Sequence, residues 1–292
     1  MEGLSSGTAI ERQPKVGVVI GSGGIKAFAA VPLFEFLSNT QIETNLLVGC
    51  SGGAITAALR GAGYDSDQMK ELISELLDRR LFKRIDYRSI MGITRLPFGR
   101  FDKTSGILKP DAIKKVYQRV FGDLRLEDLQ PTTVLQATDY QTGEGVILST
   151  GLVADAVYAS SAMFPVLPPI YIDGRWLIDG GFSSPVPVFE AVRRQIDVII
   201  VVILQEKIAA DPKGFVEAFW NLPKIFATSI HRSQIPLSID LHHHEIVILN
   251  VVFDKYIQIW DVEEVPTILS AGRKAVDAKS ESILSAIKSC YS

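Results

Sequence analysis

The stretches KVGVVIGSGG at residues 15–24 and NLLVGCSGG at residues 45–53 decide how this chain folds. Each opens with a short run of β-branched or aliphatic residues and closes on glycine, which reads as a buried strand running into a tight turn. Between them, residues 26–37 spread Phe28, Val31, Leu33, Phe34, Phe36 and Leu37 over a wide helical face, the pattern of a well-buried helix. A small-residue helix is expected over 52–62. Strand, glycine loop, helix, strand, turn and helix in succession predict a parallel sheet flanked by helices.

The rest of the chain extends this pattern. Helices are expected over 66–80, 110–120, 153–161, 187–194, 215–229 and 265–287. Strands fit 132–140 and 145–148 as one hairpin, 171–172 and 176–178 as a second, and 198–204 and 246–253 as buried single strands. Residues 82–106 read as irregular, broken by Gly92, Pro97, Gly99 and Gly106. Residues 1–14 read as a flexible leader, and 15–292 as one α/β domain without repeat, low-complexity tract or linker.

Composition narrows the function classes. The 292 residues are 47% hydrophobic and 22% charged, so a real core is expected. A net charge of −3 argues against a general nucleic-acid binder. The two cysteines, Cys50 and Cys290, make neither a disulfide framework nor a zinc spacing, which fits a reducing, cytoplasmic setting. The polar start lacks the apolar core of a signal peptide. The most hydrophobic run, residues 198–204, is far shorter than the roughly 20 residues of a membrane-spanning helix. A soluble protein is expected, with peripheral membrane contact left open and the oligomeric state undetermined.

Gly49-Cys50-Ser51-Gly52-Gly53 fits the G-x-S-x-G nucleophile elbow and stands between strand and helix, where that motif belongs. Serine at the tip of so tight a turn takes strained backbone angles, and flanking glycines remove side-chain clashes. The helix beginning at Gly52 points amide N–H groups at the site, which favours a negative oxygen there. The plainer reading is a strand-to-helix turn that needs small residues.

Gly21-Ser22-Gly23-Gly24-Ile25-Lys26 opens the first helix. As a phosphate or dinucleotide loop it fails: the P-loop spacing is absent, and G-x-G-x-x-G breaks at Lys26. The alternative is an oxyanion hole, in which the Gly23 and Gly24 amides face Ser51 across the carboxyl edge of the sheet. Lys26 reads either as an anion-attracting residue at the mouth or as a solvated first-turn lysine.

A serine nucleophile needs a base. Leu177-Ile178-Asp179-Gly180-Gly181 ends an apolar strand with an acid and two glycines. A carboxylate in a mostly apolar pocket gains a raised pKa, which suits a general base; the plainer reading is an Asp-Gly turn. Among the histidines, His231 falls in an amphipathic helix and reads as a surface or packing residue. His242, His243 and His244 are adjacent, so on an extended chain they point to opposite faces and converge poorly on a metal.

Taken together, these motifs resemble those of the patatin-like phospholipases: a G-x-G-G-x-[KR] loop at Gly21 to Lys26, G-x-S-x-G at Gly49 to Gly53, and D-G-G at Asp179 to Gly181. Ala137-Thr138-Asp139 with Thr142-Gly143-Glu144 is similar to the family's middle hairpin. The run from Ala159 to Pro165 is similar to its serine-rich segment. Ala27 departs from a frequent glycine. The resemblance spans residues 15–205. It implies a three-layer α/β/α fold with a mostly parallel central sheet. It also implies a Ser51–Asp179 dyad without histidine, metal or cofactor, and an oxyanion held by the Gly23, Gly24 and Gly52 amides. The implied reaction releases fatty acids from phospholipids, lysophospholipids or neutral acylglycerols through an acyl-enzyme. Two other readings stand beside it: a Ser-His-Asp triad using His231 or His242, and a catalytically silent lipid-binding protein on the same fold.

Residues 82–106 carry six Lys or Arg against two Asp, interleaved with Phe82, Tyr87, Met91, Phe98 and Phe101. That mixture suits an anionic lipid surface; the plainer reading is a solvated loop.

Overall fold

The computed structural model describes residues 13–206, 214–242 and 245–290. Most of the expected leader, residues 1–12, lies outside the described residues, as do His243 and His244. Strand β1 (Val16–Ile20) passes through the glycine loop and a 3-10 turn over Gly24–Ala30 into α1 (Val31–Asn39), and β2 (Leu46–Cys50) runs into α2 (Gly52–Gly61). Next come α3 (Ser66–Leu76), α4 (Tyr87–Ile93), α5 (Asp111–Phe121), β3 (Thr132–Asp139), β4 (Gly145–Leu148) and α6 (Val153–Ser161). The chain continues through β5 (Ile170–Ile172), β6 (Arg175–Asp179), α7 (Val188–Arg193), β7 (Val198–Glu206) and α8 (Phe215–Leu241). It closes with β8 (Glu245–Phe253), α9 (Val265–Asp277) and α10 (Ser280–Ser289).

The strands form one eight-stranded sheet in the order β5-β6-β3-β2-β1-β7-β8, with β4 also paired to β3. The pairs joining β3, β2, β1, β7 and β8 are all parallel; β4, β5 and β6 pair antiparallel. The central strands are apolar on both faces because both faces are covered. Val18 and Ile20 of β1 and Ile200 and Val202 of β7 pack into a core with α1, α2, α5, α6 and α9. Their neighbours Val19, Ile199 and Val201 face the opposite core, with α7 and Ile235 of α8. This is the expected three-layer α/β/α arrangement around a mostly parallel sheet.

Several helices differ from expectation. The first is split because the chain leaves the glycine loop with Gly24 at φ +57° and needs a tight 3-10 turn before Pro32 starts α1. The third stops at Leu76; Asp78 then caps a separate 3-10 turn, accepting from the Arg80 amide at 2.7 Å. α8 runs twelve residues beyond the expected end at 229, through Pro236, because Ile235 and Ser238 are buried there. The irregular stretch 82–106 contains α4, capped by Asp86, whose carboxylate accepts from the Arg88 and Ser89 amides. The last expected helix is two, α9 and α10, both packed on β8.

Strand register sets up the site. β3 pairs with β2 up to Cys50 opposite Gln136, and with β6 from Asp179 opposite Ala137. Both stretches of β3 also pair with β4, at Leu135–Gln136 and at Ala137–Thr138. A strand has two edges, so β2 and β6 occupy the same one. They approach from opposite directions, and their carboxyl ends meet at adjacent residues of β3.

Candidate active site

Ser51 leaves β2 at φ 56° and ψ −120°, a left-handed conformation costly for a residue with a side chain. The turn is tight enough to exclude any Cβ at its flanks: one on Gly49 would lie 2.6 Å from Ala54 Cα, and one on Gly53 2.7 Å from the Gly21 carbonyl oxygen. The strained turn lifts the Ser51 hydroxyl off the end of the sheet. Ser51 Oγ donates to Asp179 Oδ2 at 2.7 Å.

Asp179 ends β6 and is 2% exposed. The Gly181 amide donates to its other oxygen, Oδ1, at 2.7 Å, and its own amide donates to the Ala162 carbonyl at 3.0 Å. Thr138 Oγ1 donates to the Asp179 carbonyl at 2.8 Å. Burial pushes the carboxyl up to about 6, against the smaller lowering effects of the Ser51 and Gly181 hydrogen bonds. The same burial, reinforced by Asp179, raises the neighbouring Cys50 thiol and keeps it protonated.

The glycine loop lies directly on the elbow. A Cβ on Gly52 would sit 2.6 Å from the Gly24 backbone nitrogen, so the starts of the 3-10 turn and of α2 are pressed together. The Gly24 and Gly52 amides are each first in their helix and have no intrahelical acceptor. Gly23, Gly24, Gly52, Ser51 and Asp179 line one cavity of about 500 Å³.

A serine residue that sequence reading left without a role joins these parts. Ser160, fully buried near the end of α6, accepts from the Ser51 amide at 2.9 Å and donates to the Gln136 carbonyl at 2.6 Å. Two residues on, Ala162 holds the Asp179 amide. The signal was the serine-rich run 159–165, but nothing in it says which hydroxyl turns toward the elbow.

Comparison with known proteins places the chain in a family. A family model described as patatin-like phospholipase matches residues 18–192, three-fifths of the chain and all of the motifs above. The chain belongs to the patatin-like phospholipase family. It is 27% identical over 219 residues to an uncharacterized NTE family protein of Mycobacterium tuberculosis, covering 74% of this chain and 57% of that one. It is 24% identical over 192 residues to Lysophospholipase NTE1 of Kluyveromyces lactis, covering 64% of this chain and 12% of that one. This patatin-like chain thus spans little more than half of the mycobacterial relative and a small part of the yeast one. In fold it is similar to VipD from Legionella pneumophila, with a TM-score of 0.54 at 15% identity over 93% of this chain and 67% of that one. Human GIVD cytosolic phospholipase A2 aligns with a TM-score of 0.52 at 11% identity over 99% of this chain and 64% of that one.

The patatin-like cavity is mostly apolar. Ile55, Leu77, Ile113, Leu167 and Leu204 form much of its wall. Tyr117 turns its hydroxyl to Ser161 Oγ at 3.5 Å. Burial pushes that phenol up to about 12, so it stays neutral. Phe182, Phe226 and Tyr256 line the cavity and are also exposed, which marks where it opens. The exposed Arg232 lines it too and has no carboxylate partner among the described residues. Lys26 lines the cavity but is not solvated: it is buried, with Nζ donating to the Ile257 carbonyl at 3.2 Å. His231 lines the cavity, half-buried, with Nδ1 3.1 Å from the Ala227 carbonyl. Burial lowers its pKa. Asp179 already spends one oxygen on Ser51 and the other on Gly181. No cluster of His, Cys, Asp or Glu suited to a metal occurs among the described residues.

Proposed function

We propose that this protein is a serine lipid acyl hydrolase that cleaves fatty-acyl esters of phospholipids or lysophospholipids through a Ser51–Asp179 dyad. The observation that carries this reading is the direct 2.7 Å hydrogen bond from the Ser51 hydroxyl to a buried carboxylate. It supports proton transfer directly from serine to carboxylate, without an intervening histidine. Ser51 Oγ attacks the ester carbonyl while Asp179 Oδ2 takes its proton. The carboxyl then returns that proton to the departing alcohol. The Gly23, Gly24 and Gly52 amides hold the oxyanion, each donor worth roughly 2.7–4 kcal/mol of barrier. A water deprotonated by Asp179 attacks the acyl-enzyme, and Ser51 leaves with the proton restored. No cofactor enters this cycle.

The substrate class rests on the shape and charge of the cavity. Its apolar wall suits an acyl chain, and its size lies within the range of small-molecule sites. Arg232 at the opening supplies positive charge for a phosphate head group. The name of the Kluyveromyces relative, a lysophospholipase, points the same way. Such substrates reside in membranes, so the enzyme works at a lipid surface; among the described residues no helix is long and apolar enough to cross one.

The test is labelling with a fluorophosphonate. Wild type is expected to carry the adduct on Ser51 by mass spectrometry, with Ser51→Ala unlabelled and inactive on lysophosphatidylcholine, and Asp179→Asn barely labelled and slower by roughly 10²–10⁴. Full labelling of Asp179→Asn would show that another group activates the serine.

A further inference from the structure

The excursion between Asp86 and Ile107 has a feature the catalytic reading does not use. Its two ends are pinned together, the Asp86 amide donating to the Ile107 carbonyl at 2.8 Å. Its base is part of the cavity: Phe82 and Leu108 line it, and the Leu108 amide is bound to the carbonyl of a third lining residue, Val166. Beyond the base, α4 leads outward and the chain turns back over itself. The Leu96 amide donates to the Met91 carbonyl at 2.9 Å and the Arg100 amide to the Arg88 carbonyl at 3.0 Å. A Cβ on Gly92 would lie 2.6 Å from the Phe101 nitrogen, so outgoing and returning backbones are in contact. The projection is therefore a built knob and not a slack loop.

Its tip is apolar. Phe98 is 94% exposed, Leu96 55% and Ile93 52%, and Tyr87, next to the pinned base, 69%. Phe98 holds φ 64° and Arg95 φ 56°, conformations unfavourable for side-chain-bearing residues. Four bare apolar side chains on one short projection are a cost to a protein that never covers them. The surround is basic. Both acids of the stretch are engaged locally: Asp86 caps α4, and Asp102 accepts from Arg100 and Thr104. Arg88 and Arg95 are exposed and have no carboxylate partner among the described residues. An apolar tip ringed by unneutralised cations matches the interface of an anionic bilayer, where rings and aliphatic groups enter the headgroup layer and cations meet lipid phosphates.

We infer that the 87–100 knob is a docking element for anionic lipid bilayers, seating the cavity at the surface from which ester is drawn. This deepens the hydrolase reading and rests on it for its purpose. The experiment measures co-sedimentation with vesicles of ether-linked lipids, which cannot be hydrolysed, made either of phosphatidylcholine alone or of equal parts phosphatidylcholine and phosphatidylglycerol. Wild type is expected to bind the anionic vesicles at least about tenfold better. Each basic residue near such a surface contributes about fivefold, so Arg88→Glu with Arg95→Glu is expected to lose tenfold or more. Phe98→Ser is expected to lose several-fold on both vesicle types. All three side chains are exposed and lie outside the cavity, so thermal unfolding and turnover of water-soluble nitrophenyl butyrate should match wild type. Equal binding to the two vesicle types, or variants that bind as wild type does, would overturn the docking role. Soluble-ester turnover without vesicle binding would remove the docking role and leave the hydrolase standing. Selective vesicle binding lost in the variants, with no turnover of any ester, would uphold docking and remove the hydrolase.

Discussion

Ser51 and Asp179 share one proton through a direct hydrogen bond, and the burial that suits Asp179 to the proposed role of base also burdens the fold. The proposed dyad requires an ionised Asp179, so with its carboxyl near 6 the rate should rise with pH up to about 6 and level off above. A flat pH–rate profile from 5 to 8 would contradict this. Stability should move the other way. The folded pKa lies above the unfolded value near 3.8, so the carboxyl favours the folded state below that value and this advantage is lost as pH rises through 6. Asp179→Asn removes the charge at constant shape. At pH 7 it is expected to melt higher than wild type, with the gap closing as pH falls toward 4, while its turnover drops by roughly 10²–10⁴. Two neighbours separate competing roles. His231→Ala should hydrolyse nitrophenyl butyrate nearly as wild type does, because Ser51 already donates directly to Asp179, the proposed base. Arg232→Gln should raise KM for lysophosphatidylcholine by about tenfold, the size of a lost charge-assisted hydrogen bond, and leave a neutral monoacylglycerol unaffected.

At the scale of elements, the carboxyl end of α6 is what keeps elbow and acid in register. Ser160 bridges the Ser51 amide to β3, and Ala162 holds the Asp179 amide. Ser160→Ala leaves a buried N–H and a buried carbonyl unpaired, which costs about 1–3 kcal/mol. A general loss of stability would not by itself slow the chemistry. The expectation is a lower kcat and slower fluorophosphonate labelling at unchanged KM, measured well below the melting temperature. The elements themselves were largely readable. The strands around 16–20 and 46–50 are short apolar runs closed by glycine, and glycine stops a strand for reasons local to the backbone. α4 and the far half of α8 were not readable. Gly92 and Pro97 hid the first, whose helix depends on an Asp86 cap. Ser229, Ser233 and Pro236 hid the second, whose continuation depends on burying Ile235 against the layer that carries α7.

At the scale of the molecule, the sheet's carboxyl edge, the cavity and the exposed knob form one assembly. The cavity wall draws on α2, α5, α8 and the segments flanking the knob, so its volume belongs to no single element. Leu108, half-buried at the junction of knob and cavity, offers a way to shorten it. Leu108→Trp should lower kcat/KM for a long-chain nitrophenyl ester at least about tenfold more than for the butyrate, because each methylene turned out of an apolar pocket is worth 1–3 kcal/mol. Equal effects on both esters would mean that the acyl chain lies elsewhere.

The sequence alone determined the fold class and the family, and it singled out Ser51, Asp179, Gly23, Gly24 and Gly52 as candidate site residues, since strand-to-turn punctuation and glycine spacing are local properties of a chain. It did not reveal which carboxylate oxygen meets the serine, that Ser160 ties the two together, or that Lys26 is buried in the cavity wall. Those depend on two strands far apart in the chain meeting end to end on one edge of β3, at Gln136 and Ala137. Only the closed sheet establishes that register, because backbone pairing across more than a hundred residues leaves no mark on the spacing of either motif.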